Sequence, residues 1–279
     1  MRTLIELWQY LPYSIDPVAL TIGPLEFRWY SIMYILGICS AFYLYYRSCK
    51  KQNLAKNIDT ATELLFYIFL GIILGSRIGY ALFYESGTFL SNPVSLFSPY
   101  QNGQFTGISG LSYHGGAIGF ILALLIYCKK YKLNFFRTTN LLSLYIPLGY
   151  TFGRIGNFFN QELYGRTTSF ILGMYFPSDP NKMLRYPSQL IESFFEGFIL
   201  FLMLYLINKH TTRLARALTP IYCILYGITR FLIEFIREPD SFQVLFLNIF
   251  TYGQILSIIM IVLGLLFIPI YMNNYEKNT

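Results

Sequence analysis

The densest polar cluster in the sequence lies at the end of an apolar run and reads GRIGNFFNQELYG over residues 153–165. It combines one guanidinium, two amides and one carboxylate, carried by Arg154, Asn157, Asn160 and Glu162. A guanidinium, side-chain amides and backbone N–H groups are the donors that hold phosphate oxygens. The cluster therefore predicts a phosphate-binding site.

The glycines of this stretch decide whether its side chains meet. If the chain turns at the glycines, the side chains of Arg154, Asn157 and Glu162 converge. The glycines concerned are Gly153, Gly156 and Gly165. The alternative interpretation is a capped helix end leading into a loop, and spacing alone does not separate the two.

Two further arginines fall inside apolar runs, where ionisable residues are expensive and usually face a protein interior or a wet cavity. Arg230 and Glu234 are four residues apart, so they share one face of a helix. They form either a self-neutralising structural pair or a buried cation that a carboxylate steadies for an anionic ligand. Arg77 has no obvious partner in its own run, and structural and functional roles are equally open for it.

His114 is one of two histidines and stands where a predicted loop meets an apolar run, in LSYHGGAIG. The following Gly115 and Gly116 leave the backbone bare, so a ligand can approach closely. A lone histidine is often a satisfied structural residue. Its position at the mouth of a run, beside glycines, favours a functional role for His114.

The composition identifies the solvent in which these residues must be positioned. Of 279 residues, 54% are hydrophobic, 19% aromatic and only 13% charged, and the mean hydropathy is +0.46. A soluble domain carries about 25% charged residues. This composition excludes a disordered chain, a disulfide scaffold and an ordinary cytosolic enzyme, and it predicts a protein solvated by lipid.

Apolar runs that approach the length needed to cross about 30 Å of hydrocarbon occur seven times. They lie near residues 30–46, 64–84, 114–128, 138–153, 190–207, 217–236 and 251–272. We therefore expect an all-α polytopic membrane protein with about seven transmembrane helices and a small outward-facing head segment.

The basic residues follow the positive-inside pattern. Twelve of the 21 Lys and Arg lie in the tail and in the loops after runs one, three and five. Seven lie in the first 28 residues and in the segments after runs four and six. This distribution predicts that 47–60, 129–137 and 208–216 are cytoplasmic and that the amino terminus lies outside. The net charge of +7 then reflects topology, not nucleic-acid binding. No cleavable signal peptide is visible in the first 28 residues.

We expect a single integral membrane domain over residues 1–279. Two long outward loops, about 85–113 and 154–189, are predicted to form its head and the mouth of the site. No internal repeat is evident, which disfavours a transporter built from inverted halves. The four cysteines are scattered without a CxxC pair or a nearby His, so no metal, cofactor or disulfide is expected.

One further pattern concerns the packing of the second run. Three glycines spaced by four line one helical face and predict a close helix–helix seam. They are Gly71, Gly75 and Gly79.

GRIGNFFNQELYG also resembles the signature of the bacterial prolipoprotein diacylglyceryl transferase family, written GRxGNFxNxExxG, with every fixed position filled. Further blocks in family order are IGPLEFRWYSIMY near 22–34, GSRIGYALFY at 75–84, SYHGGAIG at 112–119, YPSQLIE at 186–192, FLIEFIREPD at 231–240 and YGQILS at 252–257. These blocks cover nearly the whole chain. Ser31 departs from a common Gly, and Tyr186 stands where many members have His, which puts in doubt any role of that histidine.

The resemblance implies an enzyme of the bacterial inner membrane, acting on its outward side. It would transfer the sn-1,2-diacylglyceryl group of phosphatidylglycerol to the lipobox cysteine of a prolipoprotein signal peptide, releasing glycerol 1-phosphate in the first step of lipoprotein maturation. It also implies central roles for Arg154 and Arg230. Supporting roles would fall to Tyr30, His114, Asn157, Glu162, Gly165 and Glu234, with Asn160 completing the signature.

The residue types suit this chemistry. Guanidiniums stabilise the negative charge that grows on a departing phosphate, and more so where water is excluded. A thiol of pKa about 8.5 needs a base, and His114 is the candidate because an unperturbed imidazole titrates near neutrality. An arginine-stabilised thiolate or another base is the alternative. The rival functions are a membrane protein that binds or transports anionic lipids without transferase chemistry, and a purely structural subunit.

Overall fold

The computed structural model describes residues 3–52, 54, 58–84, 100–101, 104–105, 110–238 and 250–275, and these are mostly helical. The chain divides into two compact units. The large unit is formed by residues 1–47 and 139–277, and the small unit by residues 48–138.

Each predicted apolar run coincides with a helix. The long helices are α2 (Trp29–Lys51), α3 (Ile58–Tyr84), α4 (Tyr113–Tyr131), α5 (Phe135–Phe159), α6 (Ser188–His210), α8 (Leu218–Ile233) and α9 (Tyr252–Asn274), with α1 (Leu4–Gln9) and α7 (Thr212–Ala215) as short helices. The sixth run ends at Ile233, not at residue 236, because Glu234 takes the helix C-cap. The carbonyl of Ile236 then accepts from the N–H of Arg166 at 2.9 Å.

Three of these helices are long and apolar enough to cross a membrane: α3 over Ile58–Leu82, α6 and α9. α8 is a shorter apolar helix. Their outer faces carry large exposed hydrophobic side chains, such as Phe66, Phe69 and Leu266. Helices of this length with apolar outer faces are typical of membrane spans, so the chain has the character of a polytopic membrane protein.

In the small unit, the predicted glycine seam packs α3 against α4. A Cβ atom on Gly119 would lie 2.0 Å from the carbonyl oxygen of Gly71, and one on Gly75 would lie 2.4 Å from that of Gly115. Gly79 similarly faces the Cα of Gly115, at 2.7 Å from its own would-be Cβ. The backbones are therefore in direct contact, which only glycine allows.

In the large unit, α6 contains a π-helical stretch from Ser193 to Ile199. The π-helix is rare in proteins and is often found at functional sites. Here it follows directly on Glu192 and contains Glu196, and both carboxylic side chains are fully buried.

The segment between α5 and α6 corrects one prediction. Gly153 and Gly156 do not turn the chain, because they lie within α5, which continues to Phe159. The turn comes later, where Gln161 and Leu163 adopt positive φ angles of 58° and 57°. The α5 hydrogen-bond ladder is still satisfied at the two glycines, so their flexibility is not used there.

A small core anchors this segment. Phe158 of α5 packs against Met174 and Phe176, with Tyr164 and Leu190 around them. The strands β5 (Met174–Tyr175) and β6 (Leu184–Arg185) form an antiparallel hairpin beside this core. Of the other strands, β1 (Val18–Ile22) and β2 (Leu25–Arg28) form one hairpin, and β3 (Tyr100–Gln101) and β4 (Gln104–Phe105) another.

The amino-terminal segment is fastened to the same region. Trp8 donates from Nε1 to the carbonyl of Leu172 at 3.0 Å, and Gln9 donates from Nε2 to that of Ile171 at 3.1 Å. Gln161 donates from Nε2 to the carbonyl of Pro12 at 3.1 Å. Of the predicted loop 85–113, residues 85–99, 102–103 and 106–109 lie outside the described residues.

Candidate active site

Arg154 is the centre of a polar network inside the large unit. Its guanidinium donates from Nε to Tyr150 Oη at 2.9 Å and from Nη1 to Asn157 Oδ1 at 3.4 Å. Its Nη2 lies 2.8 Å from Oε2 of Glu192, whose side chain is fully buried. These three contacts occupy three of the five N–H groups that a guanidinium carries.

Tyr150 connects this guanidinium to two carboxylic side chains of α6. Its hydroxyl lies 3.1 Å from Oε2 of Glu192 and makes a short contact with Oε2 of Glu196. The Oε1 atoms of both glutamates are buried without a hydrogen-bond partner in the described part of the chain. Two carboxyl groups therefore meet on one hydroxyl in a nearly water-free place.

Arg230 and Glu234 make the predicted pair at the end of α8. Arg230 Nη2 lies 2.7 Å from Glu234 Oε2, with the side chains 13% and 1% exposed. Glu234 Oε1 also accepts from Thr251 Oγ1 at 3.0 Å, and Arg237 Nη1 lies 4.0 Å from its Oε2. Arg230 Nη1 is buried without a hydrogen-bond partner among the described residues. Thr251 and Arg237 thus contact the Glu234 side of the pair, while Nη1 of Arg230 is available for a ligand.

The two arginine networks belong to one electrostatic cluster. The rings of Tyr150 and Tyr226 meet edge to face, with 6.1 Å between centroids, and Tyr226 lies one helical turn before Arg230. Arg230 and Arg154 both interact electrostatically with Glu192 and Glu196. The structure therefore brings the arginine of the signature and the arginine of α8 to the same buried acidic pair.

The signature residues beyond Arg154 divide into two groups. Asn157 donates from Nδ2 to Glu162 Oε1 at 2.8 Å, so Arg154, Asn157 and Glu162 do converge. Asn160 does not join them: its Oδ1 accepts from Arg28 Nη1 at 3.5 Å, at the exposed end of α5. The predicted cradle therefore contains one signature amide and not two. The reason is that α5 continues to Phe159, which leaves Asn160 at its exposed end.

Gly165 holds the signature loop by its backbone. Its N–H donates to the carbonyl of Tyr186 at 2.8 Å, and it forms an isolated bridge with Arg237. A Cβ atom at this position would lie 2.5 Å from the carbonyl oxygen of Ile236. Tyr186, the departure from the family pattern, contributes here through backbone atoms that any residue supplies.

Tyr30 lies at the start of α2 and contacts the same helix as Arg154. A Cβ atom on Gly156 would lie 3.3 Å from the Cα of Tyr30, so the two backbones are close. The ring of Tyr30 packs on Tyr34, with 4.6 Å between centroids. The glycine at 156 therefore serves close packing of α2 on α5 and not a turn.

His114 and Arg77 are placed in the small unit. His114 is exposed in the first turn of α4, where Ser112 caps the helix by accepting from the N–H of Gly115 at 3.3 Å. Arg77 is buried and donates from Nη1 to the carbonyl of Gly110 at 2.8 Å. The Gly110 carbonyl is thus one partner of Arg77 outside its own helix.

A separate ion pair stabilises the 160–187 segment. Arg185 contacts both carboxylate oxygens of Asp179, from Nε at 2.9 Å and Nη2 at 3.1 Å, and Glu238 from Nη1 at 3.1 Å. Burial alone would raise the pKa of Asp179, but the Arg185 hydrogen bonds and the N–H groups of Asn181 and Met183 outweigh it. They hold that pKa below its ordinary value. Among the described residues, no group of three His, Cys, Asp or Glu side chains is placed to hold a metal.

Comparison with known proteins decides the family. The family described as prolipoprotein diacylglyceryl transferase matches residues 17–270. The chain belongs to this family. Its membership confirms the resemblance carried by the GRIGNFFNQELYG signature and the other blocks.

Several curated relatives of the prolipoprotein diacylglyceryl transferase family match nearly the full length, and each bears the name phosphatidylglycerol–prolipoprotein diacylglyceryl transferase. The protein of Campylobacter lari is 42% identical over 277 residues, covering 98% of this chain and all of the relative. That of Chlorobaculum tepidum is 42% identical over 263 residues, covering 92% and 90%. That of Wolbachia pipientis is 41% identical over 273 residues, covering 95% and 98%.

The sequence analysis overlooked Tyr150, Glu192 and Glu196. The signal for the glutamates was present, because two carboxyl groups four residues apart stand inside the apolar run 190–207. Intramembrane ionisable residues of this kind point to a site by default. Tyr150 carried no such signal, since tyrosine is common throughout this chain, with 25 copies.

Proposed function

We propose that this chain transfers the sn-1,2-diacylglyceryl group of phosphatidylglycerol to the lipobox cysteine in the signal peptide of a prolipoprotein. The products are a thioether-linked prolipoprotein and glycerol 1-phosphate. Family membership over residues 17–270 and the names of the full-length relatives support this function. The single structural observation behind it is the pair of mostly buried arginines, Arg154 and Arg230, with side chains 15% and 13% exposed. They share one acidic cluster, and Arg230 Nη1 has no partner among the described residues.

The geometry suits the departure of a phosphate. The thiolate sulfur attacks a glycerol CH2 carbon, the C–O bond to phosphate breaks, and its electron pair passes to the phosphate oxygen. Arg154 and Arg230 hold these oxygens, and their charges have the greatest effect where water is excluded. Asn157, steadied by Glu162, adds an amide, and Glu234 orients Arg230.

Three further residues are assigned supporting parts in the proposed reaction. Gly165 fixes the signature loop by its backbone, and Tyr30 flanks the arginine helix at Gly156. His114 takes the thiol proton, an assignment based on the chemistry of imidazole and on its place at the exposed start of α4. Asn160 supports the loop end through Arg28 and does not contact the phosphate.

We further propose a single membrane domain with seven crossings in the bacterial inner membrane, the amino terminus outside and the carboxyl terminus in the cytoplasm. The loops about 85–113 and 154–189 form the outward head and site mouth. The charge distribution supports this orientation. In a background cleared of native cysteines, an impermeant thiol reagent applied from outside should modify Thr168→Cys and leave Lys132→Cys unmodified. Labelling of residue 132 instead would refute the orientation.

The decisive experiment supplies phosphatidylglycerol vesicles and a lipobox peptide to the purified chain. We expect a thioether product with the cysteine peptide and none with a matched serine peptide. A protein that only binds or transports anionic lipids would retain phosphatidylglycerol but give no product with either peptide. That outcome would favour the alternative function.

A further inference from the structure

Glu192 and Glu196, the acidic pair next to Arg154, both contact the Tyr150 hydroxyl. Two ionised carboxylates cannot both form hydrogen bonds with this hydroxyl. Three groups meet the Tyr150 hydroxyl: Arg154 Nε at 2.9 Å, Glu192 Oε2 at 3.1 Å and Glu196 Oε2 at shorter range. A tyrosine hydroxyl carries one proton and two lone pairs. Arg154 donates to one lone pair, and the tyrosine proton serves only one of the two carboxyl groups.

The remaining carboxyl contact therefore needs a proton of its own. If both glutamates were ionised, one buried carboxylate oxygen would face the tyrosine oxygen with no hydrogen between them. Such an unsatisfied buried charge is costly, and a group in this position neutralises instead. A protonated carboxyl group allows all three groups to form hydrogen bonds with the Tyr150 hydroxyl, because its O–H donates to the second lone pair of Tyr150.

The surrounding charges decide which glutamate holds that proton. Glu192 has the guanidinium of Arg154 at 2.8 Å, which stabilises its ionised form. Glu196 is 1% exposed and makes no ion pair in the described part of the chain. The charged and titratable groups around it are Glu192 on its own helix, Tyr150 and Arg154 on α5, and Arg230 on α8, with Tyr226 beside them.

We propose that Glu196 is protonated in the resting protein and serves as a positioning residue that leaves the arginine cluster with one surplus positive charge. The cluster formed by the ion pairs Arg154–Glu192, Arg230–Glu234 and Arg237–Glu234, together with Glu196, contains three guanidiniums and three carboxyl groups. With every member ionised, their charges cancel. With Glu196 neutral, one positive charge remains, which matches the single negative charge of a phosphodiester.

The inference about charge matching rests on the proposed function, whereas the protonation of Glu196 does not. Infrared spectroscopy of the purified chain in lipid, without substrate, detects the protonated carboxyl group of Glu196. We expect a C=O stretching band of a protonated carboxyl group that disappears in Glu196→Gln. Glu63→Gln, at a half-exposed carboxylate paired with Lys130 in the small unit, is the matched control and should leave the band intact.

A second variant distinguishes protonation from misfolding. Tyr150→Phe removes the hydrogen-bond acceptor of Glu196 without removing the carboxyl group, so the band should persist and shift to higher frequency. A band that is absent from the unmodified chain, or unchanged in Glu196→Gln, overturns the inference.

The kinetic consequence is a difference in pH dependence. Loss of the Glu196 proton at raised pH cancels the surplus charge, so KM for phosphatidylglycerol should rise about tenfold across a series from about pH 6 to about pH 9. Glu196→Gln keeps a neutral donor toward Tyr150, so its KM should stay nearly constant over that range. Equal pH profiles would overturn the charge-matching role. A chain that shows the band but transfers no lipid would instead refute the proposed function alone.

Discussion

Gly197 of α6 lies so close to Thr151 of α5 that a Cβ atom on the glycine would be 2.3 Å from the threonine Oγ1 and 2.9 Å from its Cα. Ser193 adds a hydrogen bond from its Oγ to the carbonyl of Thr151 at 3.0 Å. This contact fixes the separation of the two helices one residue away from Tyr150. It thereby sets the distance at which Glu192 meets Arg154.

The first prediction follows from this contact. Gly197→Val should force α5 and α6 apart, because the Thr151 backbone cannot yield as a flexible side chain would. We expect a loss of about 1–3 kcal/mol in the free energy of unfolding, with a fall in kcat. Gly149→Ala on α5 is the control, since its nearest neighbouring atom is 3.7 Å from the added Cβ. Unfolding in mixed detergent–SDS micelles measures both, and equal stability of the two variants would contradict the packing argument.

The second prediction concerns the planarity of Arg154. Lysine keeps the charge but loses the fork that contacts Tyr150, Asn157 and Glu192 together. Arg154→Lys should lower kcat/KM about 100-fold, and Arg154→Ala should be close to inactive while still accumulating in the membrane. The assay uses phosphatidylglycerol and a lipobox peptide. Near-normal turnover of the alanine variant would remove this residue from the mechanism.

The third prediction separates a structural from a functional role for Arg230 and Glu234. A purely structural pair is replaceable by two apolar residues with little loss, since such replacements are often neutral or stabilising. A phosphate-binding arginine is not. Glu234→Gln should weaken turnover about tenfold, because the ion pair that orients Arg230 is lost. Arg230→Ala and the double variant Arg230→Leu, Glu234→Leu should both lack turnover. Recovery of activity in the double variant would show that the pair is only structural.

The fourth prediction tests His114 as the base. His114→Gln preserves size but cannot accept a proton near neutrality, so turnover at pH 7 should fall about 100-fold. Activity should recover partly as the pH approaches the thiol pKa of about 8.5, because solvent then generates the thiolate. The pH dependence of kcat/KM is the measurement. A loss of equal size at every pH would assign His114 to positioning.

The fifth prediction concerns acid stability of the 160–187 segment. The pKa of Asp179 is below its ordinary value, so its ion pair stabilises the folded state above the unfolded pKa of about 3.9 and ceases to do so as the pH falls through the folded pKa. Asp179→Asn should therefore cost about 3 kcal/mol at pH 7 and progressively less below about pH 4. Ser169→Ala, in the same segment, is the control. A pH-independent difference would contradict the ionic origin.

Sequence patterns predicted the elements better than their ends and contacts. The helices were predictable because an apolar run of membrane-spanning length has few alternatives in lipid. The turn at Gln161 and Leu163 was not, since both residues adopt positive φ for tertiary reasons, including the hydrogen bond from Gln161 to Pro12. Local spacing alone indicated the Arg230–Glu234 pair.

The contacts of Arg154 show where such reasoning stops. Asn157 lies three residues away and was predicted, but Glu192 belongs to another helix and meets the guanidinium only through packing. Glu192 and Glu196 stand in an apolar run, where ionisable residues are costly. The sequence does not indicate which cation they approach. Long-range pairing of this kind depends on the helix–helix distance that Gly197 permits.

The hydrogen bonds from Trp8 and Gln9 to the carbonyls of Leu172 and Ile171 have a consequence for the order of biosynthesis. Trp8 and Gln9 are synthesised before their partners, which follow only after α5 is complete. The amino-terminal segment therefore docks late, after α2 and α5 have been made.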